Sequence, residues 1–234
     1  MQNIDNKVAY ITGGTKGIGF GIAKSLVENG VKVAISGRNL ADVEKAKELL
    51  GDKNVLAIQS DVRNYEDEEK AINEIISVFG QLDFVIANAG LGKFAPIDEI
   101  SLEDWNAMID TNLTGVFHTL KASVSELKKT KGYYISIASL AGINFFANGS
   151  GYNASKFGVV GFTQAAMLDL RNYDVKCTTI LPGSVTSNFN DHEPNENDTW
   201  KIQPEDMGQM IVDLFRMNSN VLPSKIEIRP TKTS

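Results

Sequence analysis

Short, almost wholly apolar runs alternate along this chain with longer stretches of helical periodicity, and that alternation restricts the fold more than any other feature. The runs at 8–12, 31–36, 55–59, 84–87, 133–138 and 176–181 predict strands, with a short last strand at 225–228. The stretches between them predict helices over about 18–28, 40–50, 65–79, 102–127, 151–171 and 204–217. A strand apolar on both sides needs cover on both faces, and strands separated by helices lie parallel. Right-handed crossovers then wind the sheet outward in both directions. The expected fold is α/β: one doubly wound domain over residues 1–234, with a parallel seven-stranded sheet flanked by helices. Hydrophobic residues make up 42%, enough for one such core, and no repeat or linker divides the chain. The irregular segment is 187–203, rich in Asn and acidic residues; a loop that long in a compact domain is expected to be a substrate lid.

Charge and cysteine usage exclude several functions. A net charge of −6 provides no basic face for nucleic acid. Cys177 is the sole cysteine, so no intrachain disulfide forms, which suits a reducing compartment. Residues 1–7 are polar, and the apolar run at 8–12 is too short for a signal peptide core or a membrane span. The expectation is a soluble, cytoplasmic protein with no nucleic-acid or membrane partner. His118 and His192 do not stand in metal-ligand spacing, so no metal site is expected.

Thr12-Gly13-Gly14-Thr15-Lys16-Gly17-Ile18-Gly19 joins the first predicted strand to the first helix. Glycines there allow a tight turn, and a helix N-terminus presents N–H groups and a positive dipole end to a phosphate. A glycine turn between strand and helix needs no ligand, so the remaining motifs decide. The Thr-Gly-x-x-x-Gly-x-Gly spacing resembles the turn of short-chain dehydrogenases/reductases, which are Rossmann-type enzymes. It differs from the Thr-Gly-x-x-Gly-x-x-Gly of their extended, sugar-nucleotide-epimerase branch. The resemblance implies cofactor contacts from Gly13, Thr15, Lys16, Gly17, Ile18 and Gly19.

The end of strand two selects the nicotinamide cofactor. A carboxylate there would bind the ribose 2′-OH of NAD. Here Gly37 holds that place, followed by Arg38, whose guanidinium can fork onto a 2′-phosphate; Lys16 adds a second cation. The expected cofactor is NADP(H) in preference to NAD(H). By resemblance, Asp61 and Val62 border the adenine, although Asp61 also reads as a helix cap. Asn88-Ala89-Gly90 resembles the family's Asn-Ala-Gly, which steadies the sheet beside the ribose. Pro182-Gly183-Ser184-Val185-Thr186 resembles its Pro-Gly-x-Val-x-Thr, which implies nicotinamide contacts from Pro182, Gly183, Val185 and Thr186.

Tyr152-Asn153-Ala154-Ser155-Lys156 is the sharpest chemical signal. Positions i and i+4 share a helix face, so the phenol and the ammonium are neighbours. An ammonium ~4–5 Å away at an effective dielectric of ~20 favours the phenolate by about 3–4 kcal/mol. A free phenol near pKa 10 would thereby fall to roughly 7–8, a value suited to general acid–base work. Ser139 lies thirteen positions before Tyr152, at the end of the predicted fifth strand, where its hydroxyl can polarise a carbonyl. By resemblance, Lys156 also binds the nicotinamide ribose, and Asn112 holds a water that links the lysine to solvent. The implied catalytic set is Asn112, Ser139, Tyr152 and Lys156.

The implied activity is hydride transfer between NADP(H) and a carbonyl or alcohol, whether a ketone, an aldehyde or a 3-oxoacyl group. The layout is similar to that of 3-oxoacyl-carrier-protein reductases. An acidic carrier protein would be repelled by the acidic lid, although Lys128, Lys129, Lys131 and Arg171 offer a basic patch. A non-catalytic NADP(H)-binding sensor is the alternative, and an incomplete catalytic set would favour it. An epimerase needs a larger C-terminal part. The tail 221–230 lacks the family's Val-Asp-Gly-Gly ending, so a homodimer through the long helices stands beside a homotetramer as the expected assembly.

Overall fold

The structure, a computed structural model, describes residues 1–232. Seven strands form a wholly parallel sheet among the described residues: β1 Val8–Thr12, β2 Lys32–Gly37, β3 Val55–Gln59, β4 Phe84–Ala87, β5 Tyr133–Ile137, β6 Lys176–Pro182 and β7 Lys225–Ile228. Their order is β3-β2-β1-β4-β5-β6-β7. The direction of winding reverses between β1 and β4, where doubly wound sheets open a crevice at their carboxyl ends.

Seven α-helices cover the two faces among the described residues: α1 Gly17–Glu28, α2 Leu40–Leu50, α3 Tyr65–Phe79, α4 Leu102–Ile109, α5 Gly115–Thr130, α6 Ser150–Leu170 and α7 Pro204–Arg216. The period-two pleat of β1 shows why both are needed. Ala9 and Ile11 pack with Ile22 and Leu26 of α1 and Ile211 and Phe215 of α7. Val8 and Tyr10 pack on the opposite side with Ile75 of α3, Leu120 of α5 and Val159 of α6. Phe84 and Phe215 stack with centroids 3.8 Å apart, anchoring the first layer.

Two expectations change. The single helix over 102–127 is interrupted by a π-turn, Asp110–Thr114, between α4 and α5. Such insertions bulge a helix and re-aim its side chains. Here the bulge carries Asn112, fully buried, to the segment after β4. The segment 187–203 is also more structured than its composition implies. It contains single turns Phe189–Asp191 and Glu196–Asp198, and Val185 bridges Ile202 in parallel register. Asp198 is its anchor, buried and accepting from Lys201 Nζ at 2.5 Å, His192 Nε2 at 2.6 Å and the Asn195 N–H at 3.2 Å. Lys201 and then His192 hold its carboxyl down to about 2. Among the described residues no helix is long and apolar enough to cross a membrane, and no His, Cys, Asp and Glu cluster could hold a metal.

Candidate active site

The carboxyl ends of the inner strands border a cleft of about 1070 Å³. Its first end is built mainly from backbone. Thr12 Oγ1, at the tip of β1, accepts from the N–H groups of Asn88 and Ala89 at 3.0 and 3.1 Å. Asn88 Nδ2 donates in return to the carbonyls of Thr12 and Gly13 at 2.9 and 3.0 Å. The Gly14 N–H reaches the Ser36 carbonyl at 3.1 Å, tying the turn to β2. Gly13 has φ +64°, and a Cβ there would stand 2.9 Å from the Cα of Ala89. A side chain would thus meet both a strained backbone and a backbone wall. Lys16 caps α1 without a side-chain hydrogen bond, so the first N–H groups of the helix keep their capacity for an anion. This cradle fits a dinucleotide pyrophosphate.

Arg38 is exposed directly after Gly37, and its guanidinium forms no ion pair among the described residues. Asp61 differs from expectation. Its carboxylate accepts from Arg63 Nε at 3.0 Å and from Nη2, and this hydrogen-bonded pair lowers its pKa. An adenine contact through Asp61 must share the carboxylate with Arg63, a residue that sequence reasoning missed. The Asp-x-Arg spacing after a strand was the available signal.

The second end is built from side chains. Helix α6 is fixed to β5 by Ser136 Oγ and Thr163 Oγ1, 2.8 Å apart. Asn153 Nδ2 donates to the carbonyls of Ala141 and Asn144 at 2.7 and 2.8 Å, holding the turn that follows Ser139. Tyr152 and Lys156 therefore face the cleft one helical turn apart, 9% and 4% exposed. The Lys156 ammonium donates to the Ile137 carbonyl at 2.9 Å and lies 5.7 Å from the Tyr152 ring centroid.

This geometry overturns the expected phenol pKa of roughly 7–8. Burial pushes Tyr152 up to about 12, against an opposing pull from the Ser139 hydroxyl, and burial lowers Lys156 to about 8. The Coulomb argument omitted desolvation, which disfavours charge on both groups. The ammonium also leans toward a carbonyl rather than toward the phenol oxygen.

Asn112 accepts from the Leu91 N–H at 2.8 Å and donates to the Leu91 carbonyl at 2.8 Å and to Ser155 Oγ at 3.0 Å. Both amide protons are thus engaged in holding the chain after β4 against α6. Behind Gly90, the point where a Cβ would stand is 3.3 Å from Asn112 Oδ1 and 3.6 Å from Lys156 Nζ.

Gly13, Thr15, Lys16, Gly17, Ile18, Arg38, Asp61, Val62, Asn88, Ala89, Gly90, Ser139, Tyr152, Lys156, Pro182, Gly183 and Val185 all border the one cleft. Gly19, Asn112 and Thr186 do not. Gly19 supports the turn from behind, and the Thr186 hydroxyl donates to the Asp198 carbonyl at 3.3 Å. Sequence reasoning also missed Phe189, whose ring lies 5.5 Å from that of Tyr152. An isolated aromatic within a polar loop was its only trace.

A family model described as short chain dehydrogenase matches residues 7–198. An uncharacterized oxidoreductase of Staphylococcus aureus (strain MW2) is 32% identical over 231 residues, covering 98% of this chain and all of the relative. An alcohol dehydrogenase from the archaeon Thermococcus sibiricus, complexed with 5-hydroxy-NADP, superposes with a TM-score of 0.91 at 29% identity, covering 97% of this chain and 98% of that one. A 3-ketoacyl-(acyl-carrier-protein) reductase from Brucella melitensis, complexed with NADH, shares the fold with a TM-score of 0.89 at 24% identity, covering 97% and 98%. Joined to the glycine cradle and the Tyr152–Lys156 pair, these likenesses make the chain an oxidoreductase of the short-chain dehydrogenase/reductase family.

Proposed function

We propose that the chain interconverts a carbonyl compound and its alcohol with NADP(H), Tyr152 serving as the general acid and base. The observation that carries this reading is the convergence of Ser139, Tyr152 and Lys156 at one end of the cleft whose other end is the glycine cradle. The bound coenzyme supplies or accepts the hydride at the substrate carbon. With its pKa near 12, Tyr152 keeps its proton at neutral pH, the state needed to protonate the oxygen of a carbonyl undergoing reduction. Ser139 orients that oxygen. Lys156 binds the ribose hydroxyls, and Asn112 acts as a positioning residue by bracing Leu91 and Ser155.

The preference for NADP(H) rests on Gly37 and Arg38: no carboxylate stands at the end of β2 to repel a 2′-phosphate, and Arg38 is exposed beside it. The named complexes carry both kinds of coenzyme, an NADP derivative in one and NADH in the other. The substrate is a small molecule, and residues 187–203 serve as its lid. The buried Cys177 suits a reducing cytoplasm. Phe117 of α5 and Phe157 and Leu168 of α6 are 45%, 44% and 55% exposed, a surface suited to a homodimer or homotetramer.

Tyr152→Phe tests the reading. NADPH binding should persist while carbonyl-dependent NADPH oxidation falls by roughly 10²–10⁴. Unchanged turnover would remove Tyr152 from the mechanism and favour the sensor alternative for the fold.

A further inference from the structure

We infer that the substrate is an aryl carbonyl compound bearing a carboxylate, its ring held by Phe94 and Phe189 and its carboxylate met by Arg229 and Lys93. The inference rests on the reductase reading and assigns a substrate class to that site. Two independent features of the cleft carry it.

The first is an aromatic slot over the catalytic phenol. Phe94 meets Tyr152 edge-on, with centroids 5.5 Å apart and planes at 74°. Phe189, from the lid, meets Tyr152 at 5.5 Å and 57°, and lies 6.4 Å from Phe94. Phe146 extends the wall 5.7 Å beyond Phe94. Phe94 and Phe146 remain 38% and 48% exposed, so ring surface faces the cleft. The slot depends on Gly92, where a Cβ would stand 2.5 Å from Phe189 Cζ and 2.9 Å from Phe94 Cζ. Any side chain there would drive the two rings apart. Tilted and edge-on rings at these separations accept a further aromatic ring in the same geometry.

The second is charge. The chain carries a net −6, yet the cleft reverses that sign. Among the side chains described, its lining holds the cations Lys16, Arg38, Lys93, Lys156, Lys201 and Arg229 against the single carboxylate of Asp61, which Arg63 engages. Lys16 and Arg38 belong to the nucleotide end, Lys156 is bonded to Ile137, and Lys201 to Asp198. Lys93 and Arg229 remain for the substrate. Lys93 adjoins Phe94 in the chain. Arg229 follows Ile228, whose carbonyl accepts from the Gly183 N–H at 2.8 Å, and that bond brings it to the cleft beside Pro182 and Gly183. Its one ionic contact is with Glu227 at 3.3 Å, an exposed pair that a substrate carboxylate readily displaces. A guanidinium forks onto a carboxylate more tightly than onto a neutral ester.

The test compares NADPH-dependent reduction of benzoylformate, its methyl ester and pyruvate. Benzoylformate has ring and charge, the ester has the ring alone, and pyruvate has the charge alone. The kcat/KM for benzoylformate should exceed the other two by about tenfold or more, the gain of one charge-assisted contact. Arg229→Ala should erase the preference for acid over ester, and Phe189→Ala the preference for benzoylformate over pyruvate. Turnover without these preferences overturns the inference and leaves the reductase reading standing. If none of the three turns over, equilibrium binding of benzoylformate to the NADP⁺-loaded protein decides. Binding that is lost in Arg229→Ala upholds the recognition and contradicts the reductase reading, and absence of binding overturns the inference.

Discussion

Around Gly13 the cleft wall is made of carbonyls, N–H groups and one asparagine amide bridging two strands; around Tyr152 it is made of a phenol, an ammonium, a hydroxyl and a ring of phenylalanines. The nucleotide end draws its shape from the sheet itself, because β1 and β4 diverge there and Asn88 spans them. The substrate end draws its shape from elements far apart in the chain, namely α6, the segment after β4, and the lid. A wall of backbone binds one kind of ligand across many substrates, whereas a wall of side chains changes with each substrate. Function in such a fold resides in the second wall, as expected where loops carry specificity on a rigid frame.

Substitutions at each end should separate these roles. Ser139→Ala belongs to the chemical end, so turnover should fall by about 10²–10³ while NADPH binds as before. Parallel loss of binding would show the two ends to be coupled. Gly13→Val attacks the backbone end. A β-branched residue at φ +64°, against the Ala89 Cα, should weaken NADPH binding by roughly 10–10² in a protein that still unfolds cooperatively. Isothermal titration with a thermal unfolding control checks this. Arg38→Asp is expected to shift the NADPH-to-NADH preference toward NADH by about tenfold, read from the ratio of kcat/KM values. A ratio that stays fixed would assign cofactor choice to another group.

The smallest expected effect concerns the support behind the nucleotide end. Glu68 is fully buried, and its Oε1 accepts from Ser60 at 2.7 Å and Tyr10 at 2.9 Å. Burial raises its pKa above the value of the unfolded chain. The native state therefore holds this proton more tightly than the unfolded state, so stability is greatest at low pH with respect to this group. It declines as pH climbs from the unfolded value through the raised one. Glu68→Gln should flatten that decline and raise the melting temperature at neutral pH, as differential scanning calorimetry would show. A lower melting temperature at every pH would mean that the carboxylate itself stabilises the network.

The same contrast explains how much was legible in the sequence. Helices α2 and α3 and strands β1, β3, β4 and β7 have the bounds that periodicity predicts, because each is governed by local pattern and by flanking caps such as Asn39 and Asn64. The nucleotide end was legible for a related reason: its requirements are glycines and one asparagine at fixed distances from strand ends. The π-turn at Asp110–Thr114 was not, since its cause is a tertiary bond between Asn112 and Leu91. Phe189 was missed because its partners, Gly92, Phe94 and Tyr152, come together only in the folded chain. The phenol pKa was misread because helical spacing reveals the neighbouring charge but not the burial that opposes it.

The central claim is that the glycine cradle and Arg38 form an NADP(H) site serving Tyr152. Titration of the purified protein with NADPH and with NADH, followed by coenzyme fluorescence, tests it most directly. The account predicts saturable NADPH binding at least about tenfold tighter than NADH binding, as one charge-assisted contact to the 2′-phosphate requires. Absence of binding by either coenzyme would contradict it, because no other ligand has been assigned to the backbone end of the cleft.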